Sequence, residues 1–223
     1  GIQTAALAVG GAKSPSFALS NDVEQYNGTS WSEIAEINTA RYSLQGAGTT
    51  TAGLAFGGRT PSPTFNNESE EWNGTAWTEG NNLNTARGYF AGFGIQTAAL
   101  AAGGNVPGSP ALTANTEGYD GTSWTELNNL ATARRQLAGN GTQTAGLAYG
   151  GTTGSQTGAT EEFTAATIDD TIKNDGQVYY NTTTNLLKLS KTVYGTGTWA
   201  SGGNMATART QSGSAGTIPA ALT

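Results

Sequence analysis

The chain has 223 residues, a formal net charge of -6 and only 12% charged residues. Its sign of charge, with no basic run, argues against a general binder of nucleic acid or anionic membranes, whose phosphates need a cationic face. With no Cys and no His, disulfides, thiolate metal sites and imidazole ligands or bases are excluded, and no apolar run approaches the roughly 18 residues of a membrane span.

From the start of the chain, "TAALAVGG" reads as an apolar strand that ends at the pair Gly10-Gly11, where the chain turns. A variable segment from Ala12 to Asp22 follows, then a strand reaching Tyr26, an Asn27-Gly28 turn and a strand opening at Trp31. A segment ending in "TAR" at Arg41 leads into the next unit. There "ARYSLQGAG" from Ala40, "TAGLAFGG" from Thr51, "ESEEW" from Glu68 and "AWTEGNN" from Ala76 predict four strands. Strand one begins at "TAR" and strand three ends at "NG". The third and fourth units repeat this order with Asp120-Gly121, Trp124, Arg134 and "TAGLAYGG". Asn-Gly and Asp-Gly predict type I′ hairpin turns, with positive φ at both central residues. The second strand of each unit is apolar without alternation, the pattern of a strand covered on both faces.

Two independent markers set the period. Trp31, Trp77, Trp124 and Trp199 are 46, 47 and 75 residues apart, and so are Arg41, Arg87, Arg134 and Arg209. The glycine pairs at Gly10, Gly57, Gly103 and Gly150 are spaced 47, 46 and 47. The long interval places an insertion of about 28 residues in the fourth unit. Residues 1–164 therefore read as repeats and 165–192 as an inserted segment, with a hairpin around "NTTTN" that carries Tyr179 and Tyr180. Residues 193–223 resume the repeat. Because the chain begins with Gly and both ends fall inside a repeat, the sequence reads as a processed product or an excerpt of a longer polypeptide. Residues from Ala206 onward could complete the N-terminal unit of a closed ring, and a longer parent with more blades fits the repeat equally well.

Four-stranded antiparallel sheets buried on both faces need a neighbour on each side, and stacking them around an axis gives a β-propeller. The glycine pair after an apolar strand, followed by an aromatic and a Trp, resembles the kelch repeat. "EEWNGTAWTEGNNLNTAR" with "TAGLAFGG" is similar to kelch-like repeats in structural proteins of tailed, especially marine, bacteriophages, and "YYNTTTNLLK" resembles segments of phage tail-fibre proteins. The resemblance implies an all-β, kelch-like propeller of four-stranded antiparallel blades, with at least four blades or part-blades in view. It also implies a virion or extracellular structural or adhesion protein that oligomerises or joins a larger assembly. The partners it implies are other virion or surface proteins and host-surface glycan.

Each recurrent residue has a structural and a chemical reading. The tryptophans either pack between blades, as their fixed place after a hairpin turn favours, or stack on carbohydrate. Glu24, Glu70, Glu117 and Glu161 recur in equivalent places, whereas catalytic carboxylates come as a pair in different environments; no catalytic residue, cofactor or metal site is expected. Arg41, Arg87, Arg134 and Arg209 either satisfy carbonyls of adjacent turns through their five donors or ring an axial anion site. The two–three and four–one connections share one edge of the blades, and the two–three loops differ in every unit. Loops on a rigid frame are where binding concentrates, so Arg59, Phe65, Asn105 and Leu112 are candidate contacts for a protein or glycan, and Tyr179 and Tyr180 for another subunit or blade. The alternative function is a carbohydrate-binding or carbohydrate-processing propeller module.

Overall fold

The computed structural model describes residues 1–60, 64–108, 111–165, 178–181, 186–189 and 197–203. Among them there is no helix; the architecture is a row of antiparallel sheets. The first sheet has three strands, β1 (Ala6–Lys13), β2 (Ala18–Tyr26) and β3 (Trp31–Ile34). The second runs in the order β4 (Gln45–Gly48), β5 (Gly53–Phe56), β6 (Ser69–Trp72) and β7 (Trp77–Glu79). The third repeats it with β8 (Ala91–Ile95), β9 (Ala98–Ala102), β10 (Thr116–Tyr119) and β11 (Trp124–Leu127). The fourth takes β12 (Ala138–Gly141), β13 (Ala145–Tyr149) and β14 (Thr160–Thr164). Beyond them β15 (Val178–Asn181) and β16 (Leu186–Leu189) pair as a separate antiparallel hairpin. The fourth sheet is then finished by β17 (Thr198–Ser201), in which Trp199 sits opposite Phe163.

Strand three ends where the sequence predicts, at Tyr26, Trp72 and Tyr119. The turn that follows differs from expectation. Only Gly28, Gly74 and Gly121 take positive φ, and the preceding Asn or Asp does not. That residue's side-chain oxygen instead accepts two backbone N–H groups. Asn73 Oδ1 takes those of Thr75 and Ala76, both at 2.9 Å, and Asn27 and Asp120 repeat the arrangement. The motif is a four-residue loop closed by an Asx cap, and Asn and Asp are selected for the cap.

Strand one also departs from the sequence reading. It starts at Gln45, Ala91 and Ala138, four residues after each "TAR" arginine. The intervening Ser43, Tyr89 and Gln136 adopt φ of 53°, 58° and 56°, a left-handed kink that ladder pairing does not accommodate. Nor is the first unit's variable segment a plain loop. β1 and β2 continue pairing to Lys13 and Ala18, with a register shift between Val9 and Gly11.

The core lies between sheets, where side chains of one sheet interlock with those of the next. Leu54 and Phe56 of the second sheet pack with Phe90, Tyr119 and Trp124 of the third. Phe93 and Leu100 of the third pack with Ala148 and Phe163 of the fourth, and Val23 and Ile37 meet Trp72 and Trp77. Such burial contributes about 1.5–3 kcal/mol per large side chain. β5 is buried along its whole length, as its unalternating apolar pattern predicts. The first strands β4, β8 and β12 are themselves neighbours, and only small residues let them approach. A Cβ at Gly92 would lie 2.4 Å from Gln45 Cβ and 2.8 Å from Phe56 Cζ.

Joints between sheets follow a fixed scheme. Trp124 Nε1 donates to Ser69 Oγ of the preceding sheet at 3.0 Å, and Trp199 Nε1 to Thr116 Oγ1 at 3.3 Å. Gln96 Nε2 donates to the carbonyls of Gly53 and Trp72 at 3.0 and 2.8 Å; Gln143 does the same to Ala99 and Tyr119. Trp77 sits in the equivalent joint, but its Nε1 has no hydrogen-bond partner among the described residues, because Val23 stands one residue before Glu24 where Ser69 and Thr116 stand one before Glu70 and Glu117. Trp31 is 49% exposed.

Candidate functional site

Three "TAR" arginines and three recurrent glutamates meet inside the protein. Arg41 lies 3.1 Å from Glu70, Arg87 2.5 Å from Glu117 and Arg134 2.5 Å from Glu161, each pair within one unit and every member at most 5% exposed as a side chain. Each carboxylate also accepts the backbone N–H of the crossing segment ahead of the arginine. Asn38 and Ala131 donate to Glu70 and Glu161 at 2.7 Å, and Asn84 to Glu117 at 2.6 Å. Arg87 further donates to the carbonyls of Gly103 and Asn115 at 3.2 and 2.6 Å. Burial pushes the Arg41 and Arg87 guanidiniums below the ordinary arginine value, and the neighbouring glutamates oppose the shift.

Arg41, Arg87 and Arg134 thus hold internal ion pairs, and the axial anion site drawn from them is corrected by the geometry: their charges are already met by carboxylates. Arg209 lies outside the described residues. Glu24, in the equivalent place of the first sheet, is exposed. The sequence carried a signal for these pairs, since arginine and glutamate each recur once per unit.

The "TAR" segments and the two–three loops do share an edge. Gly11, Gly58 and Gly104 N–H groups donate to the carbonyls of Arg41, Arg87 and Arg134 in the following unit, at 2.8–2.9 Å. Beside these, Tyr42 pairs with Arg59, Gly88 with Asn105 and Arg135 with Thr152, one rung per unit. Arg59 and Asn105 pair onward with Phe65 and Leu112, the other predicted contacts. The rungs are joined across units, because Tyr89 N–H donates to the Ser43 carbonyl and Gln136 N–H to that of Tyr89.

The four loop residues have different surroundings. Arg59 is half-buried, with its guanidinium carbon 4.8 Å from the Phe65 ring centre, 5.6 Å from Tyr42 and 5.8 Å from Tyr89. Its Nε is buried without a hydrogen-bond partner among the described residues. Asn105 is turned inward, 7% exposed. With its amide oriented to suit both neighbours, it donates to the Ala111 carbonyl at 3.3 Å and accepts from Arg135 Nη1 at 3.1 Å. Phe65 and Leu112 are half-buried. Burial raises the Tyr42 phenol, helped by its hydrogen bond to Tyr89. At Tyr89 burial acts upward too, but hydrogen bonds from Ser43, Tyr42 and Arg59 outweigh it and the phenol lies below its ordinary value. Sequence reasoning found Arg59 and Phe65 and missed Tyr42 and Tyr89, which follow "TAR" arginines and carry no repeated signature. Tyr179 and Tyr180 fall in β15.

A cavity of about 780 Å³ opens beside β1, lined by Leu7, Val9, Gln45, Leu54, Phe93 and Asn140 among others, with no Asp, Glu, Lys or Arg among the described residues of its wall. It is walled largely by glycines and apolar side chains, and its polar side chains are amides and hydroxyls. Among the described residues no group of three His, Cys, Asp or Glu approaches a metal-binding arrangement, and no helix is long and apolar enough to cross a membrane.

These features define an all-β repeat protein whose antiparallel sheets are joined by one recurring interface and carry dissimilar loops on one edge. No protein-family model matches the chain, and no curated protein matches it either.

Proposed function

We propose that the chain is a kelch-like β-propeller acting as a non-enzymatic structural or adhesion platform, of the kind built into virions or exposed outside cells. The observation that supports it is the contrast between frame and loops. Ion pairs, Asx caps and tryptophan joints recur from unit to unit, while the residues on the two–three edge change each time. A frame held fixed beneath variable loops fits recognition. Resemblance to tailed-phage repeat proteins points to surface proteins and glycans as partners, within an oligomer or larger assembly.

The ring closes, on this reading, when the "TAR" segment at Arg209 supplies the missing first strand beside β1. Among the described residues three arginines and three glutamates are matched, and on this reading the repeat assigns Arg209 as the partner of Glu24. Gly151 corresponds to Gly11, Gly58 and Gly104, whose N–H groups each reach the next unit's arginine carbonyl. A double-mutant cycle on Glu24→Gln and Arg209→Gln tests this: a coupling of at least about 1 kcal/mol is expected, independent of protein concentration. Zero coupling removes the closure, and a concentration-dependent coupling assigns the strand to another chain.

The platform itself is tested by replacing the Arg59–Asn67 loop with a Gly-Ser linker. Adsorption to bacterial cells or sedimentation of assemblies should fall without loss of the thermal transition. Unchanged behaviour in both assays rejects this face.

A further inference from the structure

The five arginines among the described residues divide into two sets. Arg41, Arg87 and Arg134 are neutralised by glutamates, whereas Arg59 and Arg135 have no carboxylate within 4.0 Å among the described residues. That is unexpected in a chain with six more acidic than basic residues. The two unmatched guanidiniums converge on one rung of the loop edge. The Arg59 stem lies over Gly88, where a Cβ would be 3.0 Å from its Cγ, and Arg135 reaches back to Asn105, the residue paired with Gly88. Tyr42 and Tyr89, 6.2 Å apart and edge to face, flank the Arg59 head.

The repeat frame does not require this cluster. The position of Arg59 holds Asn105 and Thr152 in the next two units, and that of Tyr89 holds Ser43 and Gln136; those units fold with the same ladder. We propose that Arg59 and Arg135, with Tyr42 and Tyr89, form a receptor site for a carboxylate-bearing sugar, a uronic-acid unit of a surface polysaccharide. The proposal rests on reading the loop edge as a recognition face. A guanidinium partly stripped of water and resting on ring faces attracts an anion more strongly than a hydrated one. Its planar fork matches a carboxylate with two parallel hydrogen bonds. Neighbouring phenol hydroxyls serve either as donors or acceptors, which suits the hydroxyls beside a sugar carboxylate. The two arginines account for the anion, and the tyrosines for the sugar that bears it.

The test is a titration of the full chain followed through the arginine Nε–Hε signals in ¹H–¹⁵N spectra, with galacturonate, galactose and sulfate as probes. Galacturonate should shift Arg59 and Arg135 saturably and leave the glutamate-paired Arg41, Arg87 and Arg134 in place. Galactose should bind at least tenfold more weakly. Arg59→Gln should weaken galacturonate at least tenfold, and Arg59→Lys, which keeps the charge but loses the fork, at least threefold. Arg135→Gln, at an exposed side chain, supplies the same test should the Arg59 variants unfold. Absence of a saturable shift, or equal affinity in the Gln variants, overturns the site. Sulfate binding as tightly as galacturonate overturns the sugar assignment. If galacturonate fails while the Arg59–Asn67 replacement still abolishes adsorption, the platform reading stands and the carboxylate-sugar site is rejected, with a protein surface as the remaining partner.

Discussion

Glu117→Ala is the most informative single perturbation of the frame. The Glu117 carboxylate accepts Asn84 N–H at 2.6 Å, Thr85 N–H at 3.1 Å and Arg87 Nη2 at 2.5 Å, and both charged side chains are 0% exposed. Removing one partner of such a pair strands the other charge in a dry site, at about 3–5 kcal/mol. Arg87 retains the Gly103 and Asn115 carbonyls, which keeps the loss off the top of that range. The orphaned Asn84 and Thr85 N–H groups are only part-buried, so water replaces much of what they lose. A net cost of about 4 kcal/mol results, a large share of the 5–15 kcal/mol typical of folded domains. For a chain of this size it lowers the melting temperature by about 8–16 °C. Urea titration monitored by tryptophan fluorescence reads the loss as a lower midpoint at unchanged slope. Combining it with Arg87→Met should recover part of the stability, since the buried charge goes with its partner. A single-variant loss under about 1 kcal/mol, within the reach of ordinary surface changes, would refute the reasoning.

Val23→Thr should be neutral or stabilising in the same titration, against the usual penalty for a buried hydroxyl, because it offers Trp77 Nε1 the acceptor that Ser69 and Thr116 give its counterparts; a loss above about 2 kcal/mol contradicts this. Gly92→Ala should cost about 1–3 kcal/mol, since its Cβ would meet Gln45 and Phe56 at 2.4 and 2.8 Å, and an unchanged midpoint argues against the close approach of the first strands. Burial and the hydrogen bond to Glu71 hold the Tyr119 phenol above the ordinary tyrosine value. A raised folded-state value means stability that is full below about pH 10 and lost as pH rises beyond it. Tyr119→Phe should therefore flatten the alkaline loss seen in denaturant midpoints, and equal slopes in the two proteins would dismiss the assignment.

What the sequence disclosed depended on whether a feature was local and repeated. The Asn-Gly turns, the glycine pairs and the ends of strand three are both, and they were legible. The sequence pattern puts strand one four residues early, because the kinks at Ser43, Tyr89 and Gln136 use residues that give no sign of positive φ. The cap oxygen of Asn27, Asn73 and Asp120 made Asn-Gly look like a two-residue turn. The Arg–Glu pairs join segments far apart in sequence, so their meeting is a property of the sheet and not of either motif. The Arg59 cluster was half visible: variation marked the loop, but its tyrosines come from two different units and no periodicity links them.

Trp124 docks on Ser69 as Trp199 docks on Thr116, and Gln143 grips the sheet before it as Gln96 does. The third unit therefore carries one complementary half of the same joint on each flank, and the second and fourth units carry the halves that meet it. Excising or duplicating a whole unit, from one "TAR" arginine to the next, leaves matching halves face to face. The chain is then built for exchange as much as for rigidity: recombination between its near-identical segments shuffles one loop at a time, and each product inherits a joint already solved.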